Sequence, residues 1–131
     1  KYQPSQLFIY CGENDMADVD TVSPATVLDR FKILHTILLN KLPRSTKIIF
    51  VSLKPSVARW HLESKFLEAN KLIQAYIGTQ KNIQYLDVHS FMLDENKMVL
   101  QDIFIADKLH MNSKGYLIWQ KQFVPYLTIP K

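Results

Sequence analysis

Apolar strands alternating with amphipathic helices predict an α/β fold, a three-layer α/β/α arrangement around a parallel sheet, in one domain over residues 1–131. Three observations carry this. Leu7-Phe8-Ile9-Tyr10-Cys11, residues 48–53 and Ile83-Gln84-Tyr85-Leu86-Asp87-Val88 are short apolar runs of strand length; two helical periodicities separate them; and a third helix pattern follows the last run. Strands separated by helices are joined by crossovers and therefore run parallel.

Each element has its own local signal. The first run is followed by a loop, then by Ser23-Pro24, a serine suited to the N-cap position ahead of a proline suited to the first helical position. Leu28, Phe31, Leu34, Leu38 and Leu42 recur at spacings of three and four, which gives one apolar face until Pro43 closes the segment. A second helix is predicted from about Leu62, burying Phe66, Ala69, Ile73 and Ile77, with Gly78 ending it in a left-handed conformation. After the third strand, Asn112 caps a last helix carrying Tyr116, Leu117, Gln120, Phe123 and Val124. Three parallel strands are few for such a sheet, and the first is expected to expose a flat apolar edge that an upstream segment normally covers.

Composition sets outer limits. A chain of 131 residues with 47% hydrophobic and 11% aromatic residues suits a globular core. The net charge of +4, from 16 basic and 12 acidic residues, is dispersed without a basic stripe, which argues against nucleic acid as a partner. No run approaches the roughly 18 apolar residues of a membrane span. Lys1-Tyr2-Gln3-Pro4 is not a signal peptide, and compartment is left open. The single Cys11 excludes an internal disulfide and reads as a small apolar strand residue.

Two stretches gather groups that chemistry can use together. In Asp107-Lys108-Leu109-His110 an acid stands three residues ahead of an imidazole, so in a turn its carboxylate reaches Nδ1–H and leaves Nε2 free to take a proton. In Gly12-Glu13-Asn14-Asp15 the Asn14 amide is expected in the loop beyond the first strand's carboxyl end, where a side-chain N–H can stabilise an oxyanion. Open parallel sheets collect their sites at that edge.

Together these stretches resemble the asparagine block and the Asp-x-x-His block of the SGNH hydrolases, the GDSL esterases and lipases. Asn14, Asp107 and His110 match residue by residue and in order, and His110-Met111-Asn112-Ser113-Lys114-Gly115-Tyr116 fits the family's last helix opening directly after the histidine. The resemblance implies a flavodoxin-like sheet lacking its first strands, and a serine-type ester hydrolase in which His110 is the base, Asp107 its orienting partner and Asn14 an oxyanion donor. It implies no cofactor, and a small carboxylic, lipid or acetyl ester as substrate. The family's Gly-Asp-Ser block is missing, so the nucleophile is expected on an upstream segment, and the 131 residues expressed alone are expected to aggregate.

Gly12, Ser56, Arg59 and Trp60 are the candidate substrate-contacting residues, the last three because their loop follows the second strand; a packing role is the alternative for Trp60. None of the chain's serines sits in a glycine-flanked elbow, though Ser52 and Ser56 lie near the predicted catalytic edge, where pocket lining is the reading preferred over attack. Glu13, Asp15, Asp18 and Asp20 read as a solvated loop, lacking the glycine and twelfth-position glutamate of a calcium-binding loop. His35, His61 and His89 have no second ligand at metal spacing, and no metal is expected. A non-catalytic SGNH-like binding or assembly domain is the main alternative. A receiver or nucleotide-binding domain is a weaker one, since no glycine-rich phosphate loop is present.

Overall fold

A computed structural model describes residues 2–128. In chain order it contains β1 (Gln6–Ile9), α1 (Glu13–Asp18), α2 (Pro24–Lys41), β2 (Lys47–Val51), α3 (Glu63–Gly78), β3 (Ile83–Leu86) and α4 (Ser113–Phe123). Short 3-10 turns lie at Trp60–Leu62, His89–Met92 and Val124–Tyr126. The three strands form one sheet in the order β1-β2-β3, parallel throughout, with Phe8 beside Ile49 and Phe50 beside Tyr85.

The period of two in β2 separates the layers. Ile48 and Phe50 join the cluster with Val27 and Phe31 of α2 and with Phe66, Ala69 and Ile73 of α3. Ile49 and Val51 face the other way, against Trp119 and Phe123 of α4. Helices α2 and α3 thus share one face and α4 covers the other, which is the predicted three-layer arrangement. Each fully buried side chain of this size contributes about 1.5–3 kcal/mol relative to exposure.

The helix starts follow local chemistry. Ser23 is extended and its Oγ accepts from Thr26 N at 3.1 Å, with Pro24 behind it. At the other end Leu42 is extended, as a residue before proline prefers, and the helix stops.

The strands end earlier than the apolar runs suggest, because side chains take over the backbone bonds beyond them. Asn70 of α3 accepts from Leu53 N at 2.8 Å and donates to Leu53 O at 3.0 Å. Ser52 Oγ accepts from Val88 N at 3.0 Å and His89 N at 3.1 Å. The carboxyl ends of β2 and β3 are thereby tied to each other.

Three expectations need correction. Of the acidic set after β1, Glu13, Asp15 and Asp18 lie not in a loop but in the short helix α1, and Asp20 follows it in an exposed turn. Gly78 is the last residue of α3 rather than a left-handed cap; the end is closed by Thr79, whose N–H and Oγ1 both donate to Tyr76 O. The inward face of α4 holds Gly115, Ile118, Trp119 and Phe123, while Tyr116, Leu117, Gln120 and Val124 are exposed. The ring of Trp119 stacks on Phe123, which stacks on Phe8, so the aromatic side chains set the helix's rotation.

Candidate active site

The Asp107–His110 stretch is the tip of a hairpin-like loop. Phe104 and Met111 form an antiparallel bridge at its base, Ile105 N donates to His110 O at 2.9 Å, and Lys108 N donates to Ile105 O at 2.9 Å. Lys108 takes a left-handed conformation, φ 60°, at the turn. Asp107 performs two tasks within it. Its Oδ1 accepts from Leu109 N and His110 N, both at 2.9 Å, and its Oδ2 lies 2.5 Å from His110 Nδ1. The His110 side chain is 69% exposed, and no described residue hydrogen-bonds its Nε2. The bond to His110 and those two backbone N–H groups hold the Asp107 carboxyl down at about 2.

The loop is fixed in place by Asn112 and Gly115. Asn112 Oδ1 accepts from Lys114 N at 2.9 Å and Gly115 N at 3.2 Å, while its Nδ2 donates to Asp102 O at 2.8 Å and Phe104 O at 3.3 Å. A Cβ on Gly115 would stand 2.6 Å from Ile103 O and 2.8 Å from Met111 Cβ, so only glycine lets α4 seat this close to the hairpin.

Asn14 belongs to α1, one residue inside its start, not to a loop. Gly12, with φ 105°, turns the chain off β1 into that helix, and a Cβ there would lie 2.9 Å from Val27 Cγ1. The turn sends Glu13 inward, 5% exposed, and leaves Asn14 exposed. Arg59 Nη1 donates to Glu13 Oε1 at 2.8 Å and to Asn14 Oδ1 at 2.9 Å. Because guanidinium only donates, the bonded amide atom is the oxygen, and Nδ2 is left as the free end.

Glu13 is the hub. It also accepts from the Tyr10 hydroxyl and, at 3.4 Å, from Lys54 Nζ, which in turn donates to Leu109 O at 3.0 Å. Burial, reinforced by the Glu13 charge, pushes the Tyr10 phenol up and keeps it protonated as a donor. Burial lowers the Lys54 ammonium, opposed by Glu13. A second link joins the same loops, Ala58 N to Lys108 O at 3.0 Å. The residues next to Asn14 and His110 are therefore bridged by a continuous polar chain, Glu13 to Lys54 to Leu109.

The remaining expectations divide. Arg59 is turned onto Glu13 and Asn14 rather than left free for substrate. Ser56 is fully buried and its Oγ accepts from Arg59 N at 3.1 Å, so it shapes the turn and offers no surface as a pocket wall. Ser52 is likewise buried, holding the strand ends. Trp60 is half-buried against the cluster of Met92, Val99, Ile103, Phe104 and Met111, which is its packing alternative. Of the acidic set, Glu13 is in the buried network and Asp15 pairs with Arg30 at 3.0 Å on the surface. His35 is buried beside the Tyr76 hydroxyl at 2.8 Å, His89 is buried against Glu63, and His61 is exposed. The groove lined by Arg44, Thr46, Lys47, Lys81 and Asn82 lies at the amino ends of β2 and β3, away from this constellation. Sequence reasoning missed Glu13, Lys54 and Tyr10; the one available signal was a charged Lys54 directly after the largely apolar run 48–53.

No family model and no curated protein sequence matches the chain. Solved structures do. The C-terminal domain of Drosophila Oskar aligns with a TM-score of 0.80 at 19% identity, over 97% of this chain and 63% of that one. A carbohydrate esterase family 3 protein from Talaromyces cellulolyticus gives 0.76 at 19% identity, over 94% and 56%. A GDSL-like lipase from Bacteroides thetaiotaomicron gives 0.73 at 21% identity, over 94% and 62%. The fold is that of the SGNH hydrolases. The chain spans only 56 to 63% of the length of these three structures. Among the described residues no helix is long and apolar enough to cross a membrane.

Proposed function

We propose that this chain is the base-bearing part of an SGNH-type serine ester hydrolase, whose nucleophilic serine comes from a segment upstream of Lys1. The observation that carries the reading is the Asp107–His110 pair, with the His110 side chain exposed and its backbone neighbour Leu109 tied through Lys54, Glu13 and Arg59 to the Asn14 amide. In this scheme His110 Nε2 takes the serine proton as the hydroxyl attacks the ester carbonyl. Negative charge on the carbonyl oxygen meets Asn14 Nδ2–H together with backbone N–H groups, among which that of Gly12 is the candidate from this chain. His110 then returns the proton to the departing alcohol, and a water activated in the same way releases the acid from the acyl-serine. Asp107 stays ionised throughout, which fixes the tautomer and favours the imidazolium. The substrate class is a small carboxylic, lipid or acetyl ester, and the chemistry needs no cofactor.

The test is made in the full-length protein. His110→Ala should lower kcat for a small aryl ester by about 10⁴-fold or more. Because the His110 side chain is 69% exposed, the variant should remain folded. Asp107→Asn should cost about 10⁴-fold by holding the wrong tautomer. Undiminished turnover in His110→Ala contradicts the proposal. The second reading is a non-catalytic SGNH-like binding or assembly domain, favoured by the lack of a Gly-Asp-Ser sequence in these 131 residues, and for it the wild-type protein turns over no ester.

A further inference from the structure

We propose that Arg59 is a positioning residue for the oxyanion donor: it locks the Asn14 amide with Nδ2 outward and is itself held by the buried carboxylate of Glu13. This deepens the esterase reading and rests on it. A terminal amide has two orientations of similar intrinsic energy, related by a half-turn. One presents N–H to a developing oxyanion; the other presents a second oxygen and repels it. Arg59 Nη1 sits 2.9 Å from Oδ1 and admits only the first orientation, since a guanidinium cannot accept. The same nitrogen is 2.8 Å from Glu13 Oε1, and the two side chains are 17% and 6% exposed, so the guanidinium is spent on the protein instead of on solvent.

Glu13 can serve as an anchor because Tyr10 and Lys54 also satisfy it. The cluster holds two cations, Lys54 and Arg59, and one anion, Glu13. Arg59 is the cation bonded to the amide oxygen, and a donor whose oxygen is bound by a cation is a stronger donor. Positioning of this kind acts on the transition state, where the charge appears, and not on ground-state binding. Arg59 is thereby distinguished from the substrate-contacting residue that its loop position suggests.

The experiment is a double-mutant cycle in the full-length enzyme between Arg59→Met and Asn14→Ala, with Arg59→Lys as the variant that keeps a charge beside Glu13 and so protects the fold. Arg59→Met should lower kcat about 10- to 100-fold, the range typical of losing a positioning partner, with KM changed less than about twofold. In the Asn14→Ala background the same change should have almost no further effect, because the group it positions is gone. Arg59→Lys should show the same non-additivity with a smaller loss. Equal losses in both backgrounds, a rise in KM alone, or full activity of Arg59→Met beside an impaired Asn14→Ala overturns the role of Arg59 while leaving the esterase reading intact. Unchanged turnover in both Asn14→Ala and His110→Ala overturns the esterase reading, and this inference with it.

Discussion

At the scale of single residues, Asp107 spends one carboxylate on three partners, the His110 ring and the N–H groups of Leu109 and His110. Its folded pKa of about 2 lies below the ordinary 3.8, so its contribution to stability is complete above about 3.8 and is lost as pH falls through about 2. The largest cause is the imidazole bond. A carboxyl-resolved NMR titration should therefore place the Asp107 inflection near 2 and move it up toward 3.8 in His110→Ala. Inflection at the ordinary value in both proteins would show that the ring does not hold the carboxylate. The pair was legible in the sequence because three residues of spacing fix it locally. Glu13 and Lys54 were not, since they meet across 41 residues of chain and only the assembled sheet edge decides that two charged side chains are buried together.

Elements place these groups, and α4 does so most directly. Its N-cap, Asn112, uses both ends of its amide, one on the helix and one on the hairpin carbonyls of Asp102 and Phe104. Asn112→Ala should cost about 1–2 kcal/mol in chemical denaturation, a full cap loss, and should also reduce activity by loosening the hairpin. A loss of stability without loss of activity would separate α4 from the site. The long elements were readable because their periodicities repeat: Ser23-Pro24 opened α2, and Phe66, Ala69, Ile73 and Ile77 marked the buried side of α3. Helix α1 was not. Its six residues include Asn and two Asp, poor helix formers, and it is too short to hold together without the turn at Gly12 and the packing of Met16. The rotation of α4 escaped for a related reason, since apolar residues lie all around it and tertiary stacking among Phe8, Trp119 and Phe123 chose among them.

For the whole molecule, three parallel strands bring the Asn14 turn, the Arg59 loop and the Asp107 hairpin to one edge, where they are cross-bonded. Strand β1 is only half-buried and pairs on one side among the described residues. It borders the Asn14 turn, so a strand added beside it would end next to the Asn14 amide. In the proposed scheme such a strand would supply the nucleophilic serine. The buried Ser52 and Ser56 are committed to backbone donors and are poorly placed to serve instead. The direct measurement is fluorophosphonate labelling of the protein isolated from its natural source, read by intact mass and peptide mapping, with His110→Ala in the full-length protein as the control. One adduct is expected, on a serine upstream of Lys1, lost in His110→Ala. An unlabelled protein, or an adduct on Ser52 or Ser56, would contradict the proposed function.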